Sequence, residues 1–153
     1  MSAHRFVYVT YIRTTPEKLW QALTAPEFTR QYWAGCWFDA DWREGGDWKL
    51  MIPDGRIGDA GEVLEIDPPW RLVLRWKNVF LPGLRDEPAT RCTITLEPIG
   101  ASVKLMLEHE TELAASPLLD SLSQGWPHLL ASVKSLLETG APLEETRHWP
   151  EGI

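Results

Sequence analysis

Cysteine is scarce in this chain. Cys36 and Cys92 stand far apart and outside any Cys-x-x-Cys arrangement, so they read as two buried thiols rather than a disulfide framework or a metal site. Histidine is scarce too, and His4, His109, His128 and His148 show no metal-ligand spacing. There is no His-Glu-x-x-His, phosphate loop, Gly-x-Ser-x-Gly elbow or dinucleotide fingerprint, so no metal, cofactor or catalytic residue is expected. Clusters of Lys and Arg are absent and the net charge is −7, which removes the electrostatic footprint of a nucleic-acid partner. No apolar run approaches the roughly 20 residues that a membrane span needs. Met1 to Arg13 also lacks the basic, apolar, small-residue order of a secretion signal, so a cytoplasmic location is expected. No repeat or flexible linker divides the 153 residues, which are enough for one domain with a substantial core.

What is present is punctuation. Phe6 to Arg13 is rich in β-branched and aromatic residues, as a strand is. Thr15-Pro16 and Ala25-Pro26 each open a short helix, the first with Leu19, Trp20 and Leu23 on one stripe, the second carrying Phe28, Tyr32 and Trp33. From Cys36 to His109 the chain reads as an antiparallel meander of five or six strands. Its breaks are Arg43-Glu44-Gly45-Gly46, Pro53-Asp54-Gly55, Asp67-Pro68-Pro69 and Pro98-Ile99-Gly100. Asn78 to Pro88 is turn-rich and reads as a long mobile loop. Ser116-Pro117 starts a long helix to about Glu138, with Leu122, Trp126, Leu129, Leu130, Val133, Leu136 and Leu137 at helical spacing and Gly140 as its stop. Pro127 inside that stretch predicts a kink or a late start of the regular helix. The polar tail from Ala141 onward is expected on the surface or loose.

The ordered set Thr15-Pro16-Glu17, Trp20, Ala25-Pro26-Glu27, Trp33, Arg43-Glu44-Gly45-Gly46, Gly61, Asp67-Pro68-Pro69, Leu72, Trp76 and Gly125-Trp126 resembles one family. It is that of the small domains related to the C-terminal half of the activator of Hsp90 ATPase, within the START-like or Bet v 1-like superfamily. The resemblance runs from about Val7 to Gly140. It implies an α+β helix-grip fold: a curved antiparallel sheet of six or seven strands, two short helices after strand one, and a long C-terminal helix across the concave face. The expected organisation is one domain over 1–140 and a tail over 141–153. The fold further implies an apolar cavity between sheet and helix that takes a small apolar or amphipathic molecule. The family's name implies instead a chaperone-related protein partner, and the superfamily's polyketide cyclases and aromatases imply a third reading, a cavity enzyme.

Alternation assigns the inward side chains. Trp48, Leu50, Leu64, Leu74, Trp76, Leu105 and Leu107 from strands, with Trp126 and Leu130 from the helix, are the candidates to line a cavity or, equally, to fill it as core. In Glu62-Val63-Leu64-Glu65-Ile66, inward Leu64 and Ile66 carry Glu62 inward, and His109 shares the parity of Leu105 and Leu107. A carboxylate or imidazole in an apolar cavity orients a ligand or moves a proton, so at least one of Glu62 and His109 is expected on the wall of the largest cavity beside Trp76 or Trp126. Asp39, Asp41 and Arg43 read as a solvated strand face.

Overall fold

The computed structural model describes residues 4–153. Strand β1 (His4–Ile12) leads into helices α1 (Pro16–Thr24) and α2 (Pro26–Tyr32). Strands β2 (Trp37–Ala40), β3 (Asp47–Met51), β4 (Ile57–Asp67), β5 (Arg71–Asn78), β6 (Thr90–Ile99) and β7 (Ser102–Thr111) follow, and helix α3 (Pro117–Thr139) closes the fold. One 3-10 turn, Glu144–Thr146, shapes the tail. The strands make a single curved antiparallel sheet in the order β1-β7-β6-β5-β4-β3-β2, so only β1 leaves the meander to pair with the last strand. No helix of the described residues is long and apolar enough to cross a membrane.

Local chemistry places each helix. Thr15 accepts a hydrogen bond from the Lys18 amide at 3.2 Å, and Pro16 occupies the first turn, where its missing N–H costs nothing. Ala25 ends α1 and begins α2, so the two helices abut without a loop. Trp33 falls just past the end of α2. Ser116 caps α3 through the Leu119 amide at 3.0 Å, and Gly140 stops it at φ +89°, a backbone conformation that glycine adopts without steric cost. Pro127 lies within a helix that continues on both sides of it. Trp126, Leu130 and Val133 are all buried on the sheet-facing side of α3.

Most strands alternate cleanly. In β7, Val103, Leu105, Leu107, His109 and Thr111 are buried and every intervening residue is more exposed. β4 does not follow its simple alternation. The Gly45 N–H donates to the Val63 carbonyl and the Val63 N–H to the Gly46 carbonyl, both at 2.8 Å, which pins Val63 inward. Leu64 is then an extra residue: Val63 pairs with Leu74 and Glu65 with Val73, a β-bulge. Gly46 itself is obligatory here, because a Cβ would overlap the Asp41 carbonyl oxygen across the turn.

Candidate functional site

Between sheet and helix lies a cluster of aromatic side chains rather than a void. The Trp76 ring centroid is 4.6 Å from Trp48, 6.3 Å from Trp33, 5.8 Å from Trp126 and 5.5 Å from the His109 imidazole. Phe38 meets Trp33, Trp48 and Trp76 edge-on, the arrangement that aromatic quadrupoles favour. Trp48 crosses the sheet at Gly61 to donate to the Arg75 carbonyl at 3.2 Å, and any side chain at Gly61 would collide with that carbonyl. His109 is fully buried, with Nδ1 3.1 Å from the Thr90 hydroxyl and Nε2 without a partner. Burial lowers its pKa to about 3, so the imidazole is neutral.

The open space is at one end of this cluster. A cleft of about 200 Å³ runs between the first half of α3 (Leu118, Leu122, Trp126), the β5–β6 loop (Phe80, Leu81) and the sheet (Leu50, Asp59, Trp76), and Trp149 of the tail forms part of its rim. The loop is tied at both ends. Lys77 Nζ donates to the carbonyls of Arg85 and Glu87 at 2.6 and 2.8 Å, and the Glu87 carboxylate accepts from the Ser116 hydroxyl and the Leu118 amide at the start of α3. The turn-rich loop thus forms one wall of the cleft, tied at both ends. The tail is fixed as well: the Leu143 amide and the Thr146 hydroxyl both donate to Ser132 Oγ, at 2.8 and 2.7 Å, and Ala34 N–H donates to the Thr146 carbonyl at 2.7 Å. Phe80 and Trp149 then pack ring to ring at 5.6 Å.

Asp59 is the carboxylate among the residues lining this cleft. Its Oδ1 accepts from Asn78 Nδ2 at 3.1 Å, and the Asn78 amide is oriented by accepting the Leu81 N–H at 3.0 Å. Burial pushes the Asp59 carboxyl up to about 6; the Asn78 amide and the nearby Trp76 indole N–H act against that rise. The Trp76 donor nevertheless lies outside hydrogen-bond geometry and has no partner. Asp59 also shapes its neighbour: burial first, then the charges of Asp59 and Asp54, push the Cys36 thiol up to about 12. Cys36 and Cys92 are both free and buried.

The residues singled out by alternation therefore divide into three groups. Leu50, Trp76 and Trp126 line the cleft. Trp48, Leu74, Leu105, Leu107, His109 and Leu130 are buried on the inner side, and none is among the cleft's lining residues. Glu62 and Leu64 lie on the convex face, because the bulge at Leu64 reverses the expected parity. Glu62 there pairs with Arg75 at 3.0 Å, and Leu64 borders a shallow depression with Arg75, Arg91 and Glu110. Neither Glu62 nor His109 reaches the cleft beside Trp76 and Trp126, which corrects the expected polar wall. Asp59, Asn78, Phe80 and Trp149 were not anticipated. Asp59 could have been found from parity, since it shares a face with Gly61 and Val63 once the bulge is placed. Asp41 and Arg43 form an exposed pair at 2.6 Å within the turn after β2.

No curated protein sequence matches the chain. Solved structures do. CalU16 from Micromonospora echinospora is 22% identical with a TM-score of 0.72, over 90% of this chain and 78% of that one. The Aha1 dimer from Colwellia psychrerythraea is 18% identical with a TM-score of 0.70, over 90% and 98%. An Hsp90 activator from Plasmodium falciparum is 22% identical with a TM-score of 0.71, over 87% and 95%. These likenesses establish the fold, a sheet gripping its last helix. The model of the family described as Activator of Hsp90 ATPase homolog 1-like protein matches residues 13–138, and the chain belongs to that family.

Proposed function

We propose that the domain is a non-catalytic module that holds a small apolar or amphipathic molecule in the cleft between α3, the β5–β6 loop and the sheet. The observation that carries this reading is the cleft itself: an apolar-walled space of about 200 Å³ with a few polar groups at fixed positions. It is smaller than the roughly 300 Å³ typical of drug-sized ligand sites. It exceeds the ~150 Å³ in which a dry cavity takes up benzene, so the ligand inserts a ring or short chain and leaves the rest at the rim. Leu122 faces the cleft from α3, and Leu122→Trp fills it. An anilinonaphthalene dye titrated against the protein should change tryptophan emission in the wild type and not in Leu122→Trp. An unchanged response in the variant would place dye binding elsewhere and defeat the reading.

A second reading, a chaperone-related interaction domain, is favoured by family membership and by the Plasmodium relative described as an Hsp90 activator. Its measure is the ATPase rate of Hsp90 with and without this protein; no change at saturating protein would remove it. Acid–base chemistry through Glu62 or His109 finds no support, since one is on the convex face and the other is neutral and sealed.

A further inference from the structure

Asp59 is a carboxylate without a counter-ion. Among the described residues no Lys, Arg or His forms an ion pair with it, whereas Glu62, Glu65, Asp54 and Glu138 each have one. Its one side-chain hydrogen bond is from the Asn78 amide to Oδ1; the Trp76 indole N–H lies nearby without reaching hydrogen-bond geometry. Arg56 stacks over Phe80 at 6.0 Å but is held by Asp54 at 2.8 Å and by the Ile153 carbonyl at 2.6 Å. Cys36, the titratable neighbour, stays a neutral thiol. The remaining walls are apolar, the rings of Trp76, Phe80, Trp126 and Trp149 together with aliphatic side chains such as Leu50 and Leu122.

We infer that the cleft selects an amphipathic amine, its ammonium group donating to Asp59 Oδ2 and its apolar body lying against Trp76, Phe80 and Trp149. This inference rests on the cleft being a ligand site. Three features support the charge of the ligand. A carboxylate partly withdrawn from water costs stability unless paired; Asp59 is half-buried with the Asn78 amide as its one hydrogen-bond partner, and an ammonium ion is the charge complement that its surroundings do not provide. Aromatic faces attract cations through their quadrupoles, so the same walls that accept an apolar body also favour a positive head. Asn78, oriented by the Leu81 amide with its NH2 toward Asp59, already occupies one acceptor position on Oδ1, so Oδ2 offers the less crowded acceptor. Burial lifts the Asp59 carboxyl only to about 6, so at pH 7.5 it is ionised and ready for a cation.

Three probes of nearly equal shape test this: 2-phenylethylamine, 2-phenylethanol and 3-phenylpropionate, titrated at pH 7.5 against the wild type and Asp59→Asn and followed by heteronuclear NMR. The amine should bind about tenfold or more tightly than the alcohol, the scale of one charge-assisted hydrogen bond, and the carboxylate should bind weakest. Asp59→Asn is isosteric and removes a half-buried charge that has no counter-ion, so it should fold, and the NMR spectrum itself reports this. In the variant the alcohol should bind as before while the amine loses its advantage. Equal affinity of amine and alcohol in the wild type, or an advantage that survives Asp59→Asn, overturns the inference and leaves the apolar site standing. No shift at the cleft with any probe overturns both.

Discussion

Asp59 and His109 respond to the same interior in opposite senses. Asp59 keeps its proton to about pH 6 in the folded chain against an ordinary value of 3.8, so folding takes up a proton between those limits. Stability from that protonated form is present at low pH and is lost as pH rises from about 4 to 6. His109 is held neutral down to about pH 3 against 6.5, so folding releases a proton. Its stabilising neutral state is fully effective above 6.5 and is lost as pH falls below that. Urea midpoints at pH 4, 5, 6 and 7.5 separate the two. Asp59→Asn should gain on the wild type as pH rises, by about 1–2 kcal/mol at pH 7.5 because the cleft admits water and weakens the penalty. His109→Phe should show a flatter loss on acidification than the wild type, whatever its overall height. Curves parallel to the wild type in either variant would show that the residue does not titrate as its burial requires. At this scale the strand pattern was a good guide for His109, because β7 alternates without interruption. It misplaced Glu62, because nothing in Glu62-Val63-Leu64-Glu65-Ile66 marks Leu64 as the extra residue; the cause is the hairpin 17 residues upstream, counting from Gly46 to Val63, whose backbone grips Val63 from both sides.

The elements follow local rules that can be read directly: Thr15 and Ser116 cap helices, Pro16, Pro26 and Pro117 open them, and Gly140 closes the last. The walls of the cleft follow no such rule. Phe80 belongs to a loop and Trp149 to a tail, and each segment is held by anchors distant in sequence, the start of α3 for the loop through Glu87, and Ser132 for the tail. A polar tail is expected on the surface or loose, yet one buried serine of α3 holds it by two hydrogen bonds. Ser132→Ala leaves the Leu143 amide without its acceptor and deprives the Thr146 hydroxyl of its short bond, at a cost of roughly 1–3 kcal/mol. That loss should appear locally. Amide exchange at Ala34 and Leu143 should accelerate by about tenfold or more, by the same free-energy scale, while the exchange of β6 and β7 stays at wild-type rates. Unaltered exchange at Ala34 would show that the tail is held by something other than Ser132.

Across the whole molecule, one aromatic cluster joins the segment after α2, β2, β3, β5, β7 and α3. A core shared by so many elements should melt as one, so far-UV circular dichroism and tryptophan fluorescence should trace the same denaturation curve. Trp76→Ala removes the ring at its centre and should lower both midpoints together, by roughly 3–5 kcal/mol in stability. Two separated transitions would show that α3 or the β2–β3 hairpin unfolds on its own. The strand order adds a matter of timing. β1 is made first, yet its partner β7 is made almost a hundred residues later, with His4 set against Thr111 and Ile12 against Val103. Only when α3 has emerged do Lys134, donating to the Tyr11 carbonyl at 2.5 Å, and Glu138, accepting from the Arg13 amide at 2.8 Å, secure the end of that strand. The first strand of this sheet to be made is thus the last to be sheltered, and a ribosome that stalls before residue 102 leaves Val7, Val9 and Tyr11 on an unpaired edge open to any other strand that passes.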